Sequence, residues 1–159
     1  MTLQQQVNIK MGTGVAGDFA SQNPRHTLLS GRAQFRAGAS GVVIARFAEA
    51  DPDTGLVTNV ISGTKPVGFV SRSGNIAVIT QWLGQASMTI LAGKEITLHD
   101  KGDFYIQIAT PTTVGQNVFA SNADGSIAVS SADTLADHYA TGFKVAIGAV
   151  ANDLATITK

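Results

Sequence analysis

The chain has 159 residues and 16.4 kDa, with 11 basic against 11 acidic side chains, 17 glycines and no cysteine. That length suits one domain with its own core, with or without an arm. Zero net charge gives no general pull on nucleic acid or an anionic membrane, and the absence of cysteine excludes disulfides, zinc thiolates and thiol catalysis.

Residues 1–40 begin with a short alternation of Val7, Ile9 and Met11 and continue through glycine-rich, polar sequence containing Pro24. They predict an extended arm with at most one strand. Residues 41–48 are apolar on both faces and predict a central strand. Asp51-Pro52-Asp53-Thr54-Gly55 reads as a turn, and residues 58–66 as a loop or weak strand. Strands are expected over 65–70, 75–83 and 86–92, each stopped by Gly or Ser. Trp82 shares a face with Ile76, Val78 and Thr80, which makes it a core plug or an interface anchor.

Residues 94–100 alternate, placing Ile96 and Leu98 inward and Glu95, Thr97 and His99 outward. Residues 102–110 put Phe104, Ile106 and Ile108 on one strand face, and 142–150 do the same with Phe143, Val145, Ile147 and Ala149. Between them, 114–131 read as two strands joined at Asp124-Gly125, a dipeptide that tolerates positive φ. Residues 131–140 suit a short helix with a Ser or Asp cap. Strands about every 8 to 12 residues argue for an all-β barrel or sandwich rather than β-α-β units. The expected organisation is an arm, 1–40, and a β-domain, 41–159.

Charged residues are only 14% of the chain, against about 25% in ordinary soluble domains. Interface cores are depleted in charge, so this composition fits a surface spent on contacts with other subunits. From Phe19 to Ala48 the charged side chains are Arg25, Arg32, Arg36 and Arg46 alone. Planar guanidinium groups pair well with carboxylates, so Phe19, Arg25, Arg32 and Arg36 are the candidate partner-binding residues. With so few interleaved aromatics, a nucleic-acid groove is a poorer reading.

Motifs for chemistry lack their contexts. Gly12 to Gly17 match G-x-G-x-x-G, but Asp18 to Pro24 are too short and turn-prone for the helix a dinucleotide needs. Asp51 and Asp53 resemble the start of a calcium loop, yet Gly55 and Ser62 occupy ligand positions. His26, His99 and His138 show no zinc-ligand spacing and read as surface residues. Asp137-His138 and Ser130-Ser131 lack a nucleophile elbow, and Glu49 and Glu95 are the only glutamates. No catalytic, cofactor or metal site is expected, and no enzyme.

An ordered pattern runs through the C-terminal part: Gly102-Asp103-Phe104, then Val114-Gly115-Gln116 with Val118-Phe119-Ala120, then Asp124-Gly125-Ser126-Ile127. Ala140 to Val145 and Asn152 to Thr158 complete it. In this order and spacing the last 60 or so residues resemble the structural cement (capsid decoration) proteins of tailed bacteriophages, the arm more loosely. The resemblance implies a β-tulip-like barrel or sandwich and a virion protein on the outer capsid surface, made in the host cytoplasm. It also implies a homo-oligomer, a trimer, that binds the major capsid protein and bridges its subunits, with no nucleic-acid or membrane partner. The competing readings are a tail or fibre protein and a glycan-binding β-module.

Overall fold

The computed structural model describes residues 14–31, 33–72 and 87–159. Its strands are β1 (His26–Thr27), β2 (Arg36–Ala37), β3 (Val42–Val43), β4 (Phe47–Ala50), β5 (Leu56–Thr58), β6 (Val67–Val70) and β7 (Thr89–Ile90). There follow β8 (Leu98–Lys101), β9 (Asp103–Gln107), β10 (Asn117–Ser121), β11 (Ile127–Ser130), β12 (His138–Ile147) and β13 (Leu154–Thr158). No helix occurs among the described residues. The all-β expectation holds.

The strands form a six-stranded sheet ordered β1-β8-β6-β4-β5-β2, a five-stranded sheet β11-β10-β12-β13-β9 and a two-stranded ribbon β3-β7. None closes on itself, so the choice between barrel and sandwich falls to stacked open sheets. Phe47 and Phe69 of the six-stranded sheet join Phe104, Ile106, Val118, Phe143, Val145 and Ile157 of the five-stranded sheet in one core. Their sequence neighbours Ala48 and Val70 instead join Val42 and Ile90 of the ribbon in a second core. The six-stranded sheet is therefore the middle layer, and successive residues of its strands feed opposite cores.

That layering corrects the placement of His99. Alternation with Ile96 and Leu98 predicts it outward, but the face opposite Leu98 is the first core, and His99 is only 5% exposed. The predicted strand 41–48 is broken: Ala45, at φ 61°, separates β3 in the ribbon from β4 in the middle sheet. The helix expected over 131–140 does not form, because β12 claims its end, with His138 opposite Ser121 and Tyr139 opposite Ala120. The predicted strand 75–83, with Trp82, lies outside the described residues, and from 86–92 the strand is Thr89–Ile90.

Other expectations hold in place. Asp51 Oδ1 accepts from the Asp53 and Thr54 N–H groups at 2.9 and 3.3 Å, closing the turn at 51–55. The hairpin turns at Asp124-Gly125, where Gly125 has φ 65° and its N–H donates to the Ser121 carbonyl at 2.9 Å. A Cβ on Gly125 would lie 1.9 Å from the Phe47 carbonyl oxygen, so this close approach of hairpin to β4 requires glycine.

Residues 14–31 and 33–40, expected within the arm, contribute to both sheets. Gly17, Asp18 and Ala20 make backbone hydrogen bonds along β9, β1 pairs with β8, and β2 pairs with β5. Phe35 and Ala37 are buried in the second core.

Candidate functional site

Phe19 and Arg25 come together. The Phe19 ring sits edge-on to His99 at 5.4 Å and 5.6 Å from Phe104, and it is held by the bridge its backbone makes with Phe104. The Arg25 guanidinium lies 3.9 Å above the ring centroid, a cation–π contact. Phe19 is 37% exposed, so the stack is presented at the surface beside β1. Beneath it, His99 Nε2 lies 3.0 Å from Ser71 Oγ, while Nδ1 is buried with no hydrogen-bond partner among the described residues. Burial, and next the Arg25 charge, hold the His99 pKa down to about 4, so the ring is neutral at pH 7.

Asp103 fastens this stack to the five-stranded sheet. Its carboxylate accepts from Ser21 Oγ at 2.5 Å, Asn23 Nδ2 at 2.7 Å and Thr158 Oγ1 at 2.6 Å. The Ser21 and Thr158 hydrogen bonds hold its pKa below the usual carboxylate range. Sequence reasoning saw Asp103 only as part of a strand start, because its partners lie 82, 80 and 55 residues away.

The other two candidates do not join this stack. Arg36 is exposed on β2, the opposite outer strand of the six-stranded sheet, and its backbone bridges to Glu95. Five strand spacings of about 4.8 Å put it roughly 24 Å from β1. Arg32 lies outside the described residues.

The sequence motifs resolve into backbone structure. Gly17 leads into pairing with β9, its N–H donating to the Tyr105 carbonyl at 2.8 Å, not into a helix. Asp51 Oδ2 accepts from Lys65 Nζ at 3.0 Å, and that hydrogen bond, with the Asp53 N–H, lowers its pKa to about 2. Glu49 is buried on β4 and accepts from the Ser62 and Gly63 N–H groups at 2.7 and 2.9 Å, pinning the loop after β5. No group of three His, Cys, Asp or Glu among the described residues could hold a metal ion. A shallow cleft over Phe119, bordered by Asp133, Ala140 and Gly142, carries one ionisable side chain and no acid–base pair.

A second surface is apolar. Alternation predicts Ile147 inward with Phe143 and Val145, but it is 62% exposed. The pairing jumps from Val145 opposite Ile157 to Ile147 opposite Thr156, so one extra residue in β12 turns Ile147 to the other face. The bulge is held by the segment before β10: Gly115 N–H donates to Val145 carbonyl at 2.8 Å and Thr112 N–H to Ala149 carbonyl at 2.9 Å. This register sets Val114 across from Ile147, and exposed Val150 lies three residues further on. Three exposed aliphatic side chains thus flank the β12 bulge, where neither charge nor hydrogen-bonding chemistry explains them.

Comparison with known proteins gives two findings. The model of the XM1 gp53 minor capsid protein family matches residues 3–159. A chain of "The capsid of Myoviridae Phage XM1" is similar in structure, with a TM-score of 0.60 and 16% sequence identity, over 99% of this chain and 97% of that one. At that identity the likeness is one of fold. No curated protein matches the chain.

Proposed function

The chain belongs to the XM1 gp53 minor capsid protein family, and from that premise we propose that it decorates the outer surface of a phage head and stabilises it. The family makes it a phage capsid-associated structural protein; the family match over residues 3–159 is the observation that carries this reading. In the proposed role the chain bridges neighbouring major capsid protein subunits, as a homotrimer seated at symmetry or quasi-symmetry axes. The mechanism is mass action. A ligand that binds only the mature lattice stabilises it by an amount set by its concentration over its dissociation constant, repeated over many identical sites.

The gripping elements proposed are the Phe19–Arg25 stack and the residues before Gly14. Phe19 supplies an apolar platform and Arg25 a guanidinium for carboxylates of the capsid partner. Residues 17–20 bond along β9, and residues 1–13 precede them in the chain. They form the arm in this proposal, adding to a neighbouring sheet or lying along the capsid. Arg36 and Arg32 belong to a second contact region in this scheme.

The test is co-sedimentation of purified protein with expanded and unexpanded heads. We expect binding to expanded heads, and its loss on deleting residues 1–13 or on Arg25→Ala with the β-fold intact by circular dichroism. Binding to neither head form overturns the decoration role. Full binding by the truncated protein overturns the arm's part in it.

A further inference from the structure

We propose that the outer edge of β11 docks on β11 of a second copy of this chain, in an antiparallel, two-fold-symmetric pair centred on Ala128. The outermost strands of the two large sheets are β1, β2, β9 and β11. Two of these edges are covered by the chain itself. Along β9, Gly17 N–H donates to Tyr105 carbonyl, Tyr105 N–H to Asp18 carbonyl and Ala20 N–H to Asp103 carbonyl, at 2.8 to 3.0 Å. Beside β2, Ala37 N–H donates to Lys94 carbonyl at 2.8 Å and Ile96 N–H to Phe35 carbonyl at 3.0 Å. The third, β1, is two residues long. Only β11 offers a four-residue edge to which no described residue pairs.

The groups on that edge follow from the register. Ser121 N–H donates to the Ser126 carbonyl at 2.8 Å, and Phe119 stands opposite Ala128 two steps further along. In an antiparallel ladder hydrogen-bonded pairs recur every second residue, so Ala128 bonds inward to β10 while Ile127 and Val129 turn their N–H and C=O groups outward. Soluble proteins guard such edges with charge, proline or a bulge. From Ser126 to Ser131 there is no charged residue and no proline. After Ser130 the chain turns back over β10, where Asn117 Nδ2 donates to the Ala132 carbonyl at 3.0 Å, and no described residue pairs with the β11 edge.

The sequence at the edge fits its own copy. Ser126-Ile127-Ala128-Val129-Ser130 has the same pattern of polar, β-branched and small residues in either direction. A two-fold axis through Ala128 sets Ile127 against Val129 of the second copy, and Val129 against its Ile127. These are the residues whose backbone groups face outward, so four hydrogen bonds form in register, in two closely spaced pairs. Ile127 and Val129, only partly buried against the first core, would be covered further on both sides. Such a contact is isologous and so distinct from the three-fold contact of a trimer. Where both occur, it joins one trimer to the next.

The test uses the free, full-length protein. The Ala128 pair is of the non-hydrogen-bonded kind, with Cα atoms about 4.5 Å apart, and the natural chain has no cysteine. Ala128→Cys should therefore give a dimer band on mild oxidation, seen by non-reducing electrophoresis. Ala128→Lys and Ala128→Glu place like charges opposite each other and should each lower the assembly state in sedimentation equilibrium. An equimolar mixture of the two should restore it. Thermal melts like the parent's establish that each variant is folded. Absence of the cross-link, a Lys variant that associates like the parent, or a mixture that stays dissociated would each overturn the proposal.

Discussion

The two cores lie on opposite faces of one sheet and are built from different side chains. The first is aromatic: Phe69 and Phe104 stack at 4.5 Å, with Phe47 at 5.4 Å from Phe69 and at 5.5 Å from Phe143. The second is aliphatic, with Val42, Ile44, Val57, Val70, Ile90, Ile96, Leu98 and three alanines, Ala37, Ala48 and Ala50, around Phe35, its one phenylalanine among the described residues. Aromatic rings fill the space between the two large sheets, while aliphatic side chains fill the space between the middle sheet and the ribbon. The first-core rings therefore contact several strands, and the second core ties the ribbon β3-β7 to the middle sheet.

The comparison predicts unequal costs. Phe104 is buried and touches Phe19, Phe69, His99 and Phe143, so Phe104→Ala should cost about 4 kcal/mol. Ile90→Ala in the ribbon should fall nearer the low end, about 2 kcal/mol. Chemical denaturation of both variants checks the ranking, and equal losses would break the contrast between the cores.

His99 sharpens it through pH. Its pKa is near 6.5 when unfolded and about 4 when folded, so between those values the unfolded chain binds more protons. Stability is then full above pH 6.5 and falls as pH drops toward 4, by up to about 3 kcal/mol. Thermal melts from pH 7 to 4 should show this fall, and His99→Phe should flatten the part of the curve due to this group. An unchanged profile in that variant would separate the fall from His99.

The smallest contrast concerns glycines that share a positive φ but differ in surroundings. Gly125→Ala meets the Phe47 carbonyl oxygen at 1.9 Å and should cost about 2 to 3 kcal/mol. Gly115→Ala, at φ 87° with nothing within 4 Å, should cost about 1 kcal/mol from backbone strain alone. Equal melting temperatures would mean that the docking of the hairpin on β4 contributes little.

Much of the five-stranded sheet was legible because its strands are long enough for alternation to show. Phe104, Ile106, Phe143 and Val145 point inward as their spacing predicts. Ile147 does not, since a bulge shifts side-chain parity without marking itself in composition. Strands of two residues, such as β1, β2 and β3, have no period to detect. In the candidate site, Phe19 and Arg25 stood out through an unbalanced charge distribution. Their stacking, the Asp103 clasp and the buried His99 depend on partners dozens of residues apart.

The sequence by itself determined that this is an all-β chain without cysteine chemistry, poor in charge and patterned like a capsid protein. Those properties are local or additive, and they survive in a linear reading. The tertiary structure decided which strands form the middle layer, that both faces of β8 meet a core, and which strand edge has no pairing partner among the described residues. These follow from pairing between distant segments, and pairing sets burial, register and the orientation of backbone donors only once the sheets have stacked.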